Sequence, residues 1–148
     1  MSGAAFAFVL SLAAGAAGAV QVAVSGALGR RIGVVETTAF SLLISFSIMA
    51  VVVLVTRRSV GGVLAGFGYP PWLWLGGLMG VIIVSSITFA GPRIGTFATV
   101  GLLMASQLAM GAAIDSFGLF GVDRVPLTWN RGLGLVLLAG GAFLVVRR

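Results

Sequence analysis

Residues 34–58 read VVETTAFSLLISFSIMAVVVLVTRR. Between Glu36 and Arg57 this stretch carries no charge. A bilayer core about 30 Å thick is crossed by about 20 helical residues. The run from Val34 to Thr56 has that length, and Arg57-Arg58 closes it at the depth where headgroups begin. Its few polar groups, Ser45 and Ser47 among them, are hydroxyls that can return to the carbonyls of their own helix. The stretch therefore reads as a transmembrane helix.

The same reading extends in both directions. Toward the N-terminus, Ala4–Leu28 is apolar and is closed by Arg30-Arg31. It lacks a basic leader and is too long for a signal peptide, so a retained helix is expected. Toward the C-terminus, Trp72–Ala90 is opened by Pro70-Pro71 and closed by Gly91-Pro92-Arg93. Ile94–Ile114 ends at Asp115, and a last segment, about Leu127–Val146, is closed by Arg147-Arg148. The expected fold class is an all-α membrane protein of five transmembrane helices in a single domain, 1–148. A four-helix alternative leaves the last segment on the surface, because its uninterrupted apolar part starts only at Gly132. No period-2 alternation persists, so strands are not expected. Read segment by segment, the chain shows no internal repeat.

Composition agrees. The chain has 148 residues, 59% hydrophobic and 8% charged, with a mean hydropathy of +1.19. Soluble domains carry about a quarter charged residues. The net charge of +6 comes from nine arginines and no lysine. Those arginines flank apolar runs, which marks them as headgroup anchors rather than a nucleic-acid surface. With no Cys and no His, disulfides, thiol chemistry and the usual zinc sites are excluded. No cofactor, no metal site and no catalytic residue is expected, and the chain does not read as an enzyme.

The arginines are nearly balanced across the membrane. In the five-helix reading, Arg57, Arg58, Arg124 and Arg131 fall on the N-terminal face. Arg30, Arg31, Arg93, Arg147 and Arg148 fall on the other. Orientation follows a bias in Lys and Arg, and this chain offers almost none. A chain inserting both ways could pair antiparallel with itself. Tyr69, Trp72, Trp74 and Trp129 all lie toward the N-terminal face, so an antiparallel pair would have an aromatic belt on each side.

Small residues set the expected packing, since close backbone approach drives association in lipid. They recur every four residues along the first helix (Gly3, Ala7, Ser11, Gly15, Ala19, Ala23, Ala27) and the fourth (Gly101, Ala105, Ala109, Ala113). Gly76 and Gly80 form a GxxxG in the third. Gly91-Pro92 and the Gly-rich second loop are candidate hinges.

Polar groups at depth are the candidate functional residues. An unpaired buried amide costs about 2–7 kcal/mol, so Gln21 and Gln107 should face a partner or a cavity. With Ser45, Phe46 and Ser85 they form the candidate substrate-binding set. Interhelical clamping is the competing role for the two glutamines. No carboxylate lies near the midplane, which weighs against cation/proton antiport. Glu36 starts the second helix, where the helix dipole favours it, whereas Asp115 ends the fourth, where the dipole does not. Glu36, Asp115 and Arg131 are the candidate gating or coupling residues.

Several stretches together resemble one family. They are Gln21, Ser45-Phe46, Pro71-Trp72, Gly76-Gly77-Leu78-Met79-Gly80, Pro92-Arg93-Ile94-Gly95, Gln107-Leu108, the block from Ile114 to Gly121, Pro126 and Arg131. In this order they are similar to the YdcZ-type family of half-size bacterial membrane proteins, within the drug/metabolite transporter superfamily. The resemblance implies a five-helix subunit, half of a ten-helix inverted-repeat architecture, in the bacterial inner membrane. It also implies solute transport. Two positions depart from the family pattern: Ser25 stands where Asn is frequent, and Ser116 where His is frequent.

The expectation is thus a dimeric secondary transporter of a small solute, working by alternating access, with the lipid bilayer as its surroundings. The partner is a second, antiparallel copy or a homologous half-size subunit. A passive channel and a non-transporting accessory subunit are the rival classes.

Overall fold

In lipid every backbone polar group must be satisfied within its own segment, which leaves helices as the solution for a chain of this composition. The computed structural model describes residues 3–146, and among them every regular element is helical. Arg147-Arg148, expected to close the last helix, lie outside the described residues.

Helix α1 (Gly3–Ile32) has 30 residues, about 45 Å at 1.5 Å per residue. It runs past the expected end at Leu28, because Arg30 and Arg31 in the last turn suit the negative end of the helix dipole. Gly33 stops it, at φ 99° and ψ 160°. Helix α2 (Val34–Arg57) follows at once, with Glu36 in its first turn and Arg58 as a left-handed C-cap whose N–H bonds the Leu54 carbonyl. Its hydroxyls bond backwards as expected. Ser45 donates to the Ser41 carbonyl at 3.0 Å, and Ser47 to the Leu43 carbonyl at 2.8 Å.

The second connection is ordered. A short helix, α3 (Gly61–Ala65), runs into a 3-10 turn at Gly66–Gly68, and a second 3-10 turn covers Pro71–Trp74. Trp74 Nε1 donates to the Gly66 carbonyl at 3.2 Å, and its ring meets Phe67 edge-on at 5.7 Å. The indole is thereby held by both its polar and its apolar part.

Helix α4 (Leu75–Ile94) contains Pro92. The expected stop at Gly91-Pro92 is therefore corrected: the helix continues to Ile94. A proline so close to the C-terminal end removes one intrahelical bond and leaves the preceding turns intact. Gly95, at φ 87° and ψ 154°, makes the break instead. Helix α5 (Thr96–Phe117) ends on Gly118 in the left-handed conformation. A 3-10 turn at Leu119–Gly121 and an extended stretch lead to helix α6 (Trp129–Val146).

Among the described residues, four segments are long and apolar enough to cross a membrane: Gly3–Ile32, Val34–Arg57, Pro71–Ile94 and Thr96–Phe117. Helix α6 is apolar but shorter. Its 18 residues span about 27 Å, a little less than the hydrocarbon core.

The chain divides into two compact units. The unit Ala23–Pro92 is held by backbone proximity rather than by bulk. A Cβ added at Gly26 would lie 3.1 Å from Pro92 Cδ, and one at Gly29 would lie 2.6 Å from Thr88 Cγ2. Around this contact Ser25, Gly26, Thr37, Thr38, Val84, Ile87, Thr88 and Gly91 are buried. The small-residue stripe expected on the first helix is covered only in part within the single chain, with Ala19 and Ala27 half-buried. Gly15 meets nothing within 4 Å and Ala23 is exposed, while Gly26 and Gly29 make the approach. Gly76 and Gly80 likewise meet nothing within 4 Å in the single chain. In the other unit, which runs from Arg93 onward and includes α1 up to Val22, α5 and α6 pack side by side.

A candidate solute groove between α5 and α6

Spacing on α5 puts Gln107, Gly111 and Asp115 on one face, at successive steps of four residues. On α6, Arg131, Gly134, Leu135 and Leu138 form the matching i, i+3, i+4, i+7 face. These two faces meet, and with Leu108 and Ala112 they line an open groove of about 500 Å³. The glycines make the room. A Cβ added at Gly111 or Gly134 would meet nothing within 4 Å.

The groove is polar at its two ends and apolar between them. At one end Asp115 Oδ2 lies 3.8 Å from Arg131 Nη1. This is an ion pair, too long for a direct hydrogen bond. The side chains are 39% and 50% exposed, so water and small solutes reach both charges. Gln107 lies two turns away on α5, about 12 Å along the axis. The segment after α5 folds back at the charged end. The Val125 N–H bonds the Asp115 carbonyl at 3.0 Å, and the Arg124 side chain lies across Gly118. Such a groove can hold a compact solute by its charged or hydrogen-bonding group, with apolar walls along the rest.

Of the residues singled out from sequence, Gln107, Asp115 and Arg131 are brought together here. Gln21 is exposed and does not line the groove. Ser45, Phe46 and Ser85 lie in the Ala23–Pro92 unit. Ser45 is exposed with its hydroxyl returned to its own helix, Phe46 is exposed, and Ser85 is half-buried. Glu36 is exposed, and its carboxylate folds back over Gly33, where any Cβ would collide with it. Sequence reasoning missed the groove's glycines and the α6 leucines. The 3–4–7 spacing from Arg131 was the available signal. It also missed Thr37, which is fully buried and whose hydroxyl has no hydrogen-bond partner. Among the described residues no group of three or more Asp, Glu, His or Cys could hold a metal ion.

Comparison with known proteins agrees with a membrane-spanning chain. Residues 6–144 match the family described as "Putative inner membrane exporter, YdcZ". That description is of a transporter rather than an enzyme. The chain is 31% identical over 144 residues to inner membrane protein YdcZ of Escherichia coli (strain K12), covering 94% of this chain and 96% of that protein. No solved structure matches. A match over almost the whole chain, joined to several helices able to span a bilayer, makes this a multi-pass inner membrane protein that belongs to the YdcZ family.

Proposed function

We propose that this chain is one half of a small secondary transporter, and that the α5–α6 groove is where it holds its solute. One observation carries the reading. The only charged side chains of α5 and α6, Asp115 and Arg131, converge with Gln107 on one open groove. Gln107 lies at depth in α5, where a polar group is costly and marks a pathway, and the charged pair stands at the mouth of the same groove. The exporter description of the family supports the same role.

The working unit is a dimer of five-crossing subunits, with α6 as the fifth crossing. The second copy is antiparallel. The even division of arginines between the two faces supports dual insertion, because no face is rich enough in charge to stay cytoplasmic. Two opposed copies then form the ten-helix inverted repeat used by many secondary transporters, with alternating access about the pair.

The test uses the absence of native cysteine. A single cysteine replaces Gly62 in the second connection of the full chain, and an impermeant maleimide is applied to intact cells and to inverted vesicles. Dual insertion gives about equal labelling from both sides. Labelling from one side only would rule out the antiparallel homodimer. The solute site is tested separately, by a thermal-shift screen of amino acids, polyamines, sugars and nucleosides on the purified protein. Stabilisation by a compound, lost in Gln107→Ala and Asp115→Asn, supports the groove. Equal stabilisation of parent and variants would move the site elsewhere.

A further inference from the structure

Gly33 and Gly95 make the same kind of break. Each is one residue between two long helices, at φ 99°, ψ 160° and φ 87°, ψ 154°. This backbone region is essentially reserved for glycine. Each carbonyl accepts the N–H of a threonine four residues on: Thr37 at 3.2 Å and Thr99 at 3.1 Å. The two glycines are 62 positions apart, and that shift aligns much more than the breaks.

The pattern G-x2-G-x3-V-x6-G-x-R-I-G-x3-T starts at Gly15 and again at Gly77. Glycine coincidences alone would mean little in so Gly-rich a chain. The burial is independent of them, and at four pairs of positions it follows the same shift, while Gly91, Ala98 and Thr38 are buried without a buried counterpart. Val22 and Val84 are buried, as are Ser25 and Ile87, Gly26 and Thr88, and Thr37 and Thr99. Residue types differ at two of these four pairs, so burial there reflects the backbone path and not the side chain.

We propose that the chain contains an internal duplication: α1–Gly33–α2 and α4–Gly95–α5 are two copies of one helix–glycine–helix segment. This departs from the expectation of no internal repeat. Most aligned positions have diverged, and the shared signal sits on the packed stripe and at the break. Each copy ends on a left-handed residue, Arg58 and Gly118, two positions off the shift of 62. The copies differ where Glu36 is replaced by Ala98. They differ again at the threonines: Thr99 returns its hydroxyl to the Gly95 carbonyl at 2.8 Å, and Thr37 does not make that bond. α6 falls outside both copies.

Two crossings separate the start of one copy from the start of the next, so the duplication repeats in the same direction. Transporters also use that kind of repeat. Gly33 and Gly95 then become matched pivots, a role that rests on the transport reading, whereas the duplication does not.

A cysteine scan tests it on the full chain in native membranes. Residues 22–37 and 84–99 are replaced singly, and maleimide reactivity is measured at each. The two profiles should superimpose best at a shift of 62, with shared minima at 22, 25, 26 and 37 and at 84, 87, 88 and 99, and with unshared minima at 91 and 98, which are buried where Gly29 and Glu36 are not. A better superposition one helical turn to either side, or none, overturns the duplication. Gly33→Ala and Gly95→Ala provide a second measure that is read on the purified protein. Both should lower the melting temperature by similar amounts, while Gly62→Ala, with open space around it inside α3, does not lower it. A fall for one junction and none for the other would refute their equivalence. If the scan and melting results hold while no solute is ever bound, the duplication stands and the transport reading fails.

Discussion

Arg131 Nη1 approaches Asp115 Oδ2 to 3.8 Å across the α5–α6 groove, joining the first turn of one helix to the last turn of another. Both partners are partly exposed, so the pair contributes about 0–1 kcal/mol to stability. Asp115→Asn and Arg131→Gln should therefore each change unfolding free energy by less than about 1 kcal/mol. Solute uptake into proteoliposomes should fall by much more than the loss of folded protein. A melting temperature that drops with the uptake would make the pair structural instead.

The groove's emptiness depends on two glycines. Gly111→Leu and Gly134→Leu place side chains where an added Cβ meets nothing. Replacing a mid-helix glycine with a good helix former gains about 0.5–1 kcal/mol. Both variants should thus melt at or above the parent temperature, yet bind any stabilising solute at least tenfold more weakly. Unchanged affinity, measured by titrated thermal shift, would show that solutes do not enter here.

Gly29 and Gly15 lie on the same helix and predict opposite outcomes. At Gly29 an added Cβ would come within 2.6 Å of Thr88 Cγ2. Overpacking of this kind costs about 1–3 kcal/mol. At Gly15 nothing lies within 4 Å, and alanine should stabilise by about 0.5–1 kcal/mol. Unfolding followed by far-UV circular dichroism separates the two, and equal effects would contradict the packing at Thr88.

Thr37 and Thr99 make a second contrast. The Thr99 hydroxyl is bonded and the buried Thr37 hydroxyl is not. Removing a made bond costs about 0.5–1.5 kcal/mol, whereas removing an unsatisfied buried group is neutral or favourable. Thr99→Val should lower the melting temperature, and Thr37→Val should hold or raise it. The reverse order would mean that Thr37 finds a partner in the membrane-embedded protein.

Much of this protein follows from its sequence alone. The apolar runs between arginines, prolines and Asp115 specify four spans and the α6 helix within a few residues, because hydropathy and the length of a crossing are local properties. Gln107, Asp115 and Arg131 stand out for the same reason: a polar group in an apolar run is conspicuous wherever the run goes. Local signals mislead at Pro92, where a proline near a helix end does not stop it, and at the Gly3–Ala27 stripe, which in an Ala-rich helix marks no particular neighbour.

Only the tertiary structure decided which conspicuous residues meet. Asp115 and Arg131 are separated in sequence by a turn and an extended loop, and no periodicity says that α5 and α6 lie side by side. It likewise singled out Gly26 and Gly29, among many glycines, as the points where backbones touch. Contact is a property of two helices at once, whereas a sequence pattern describes one.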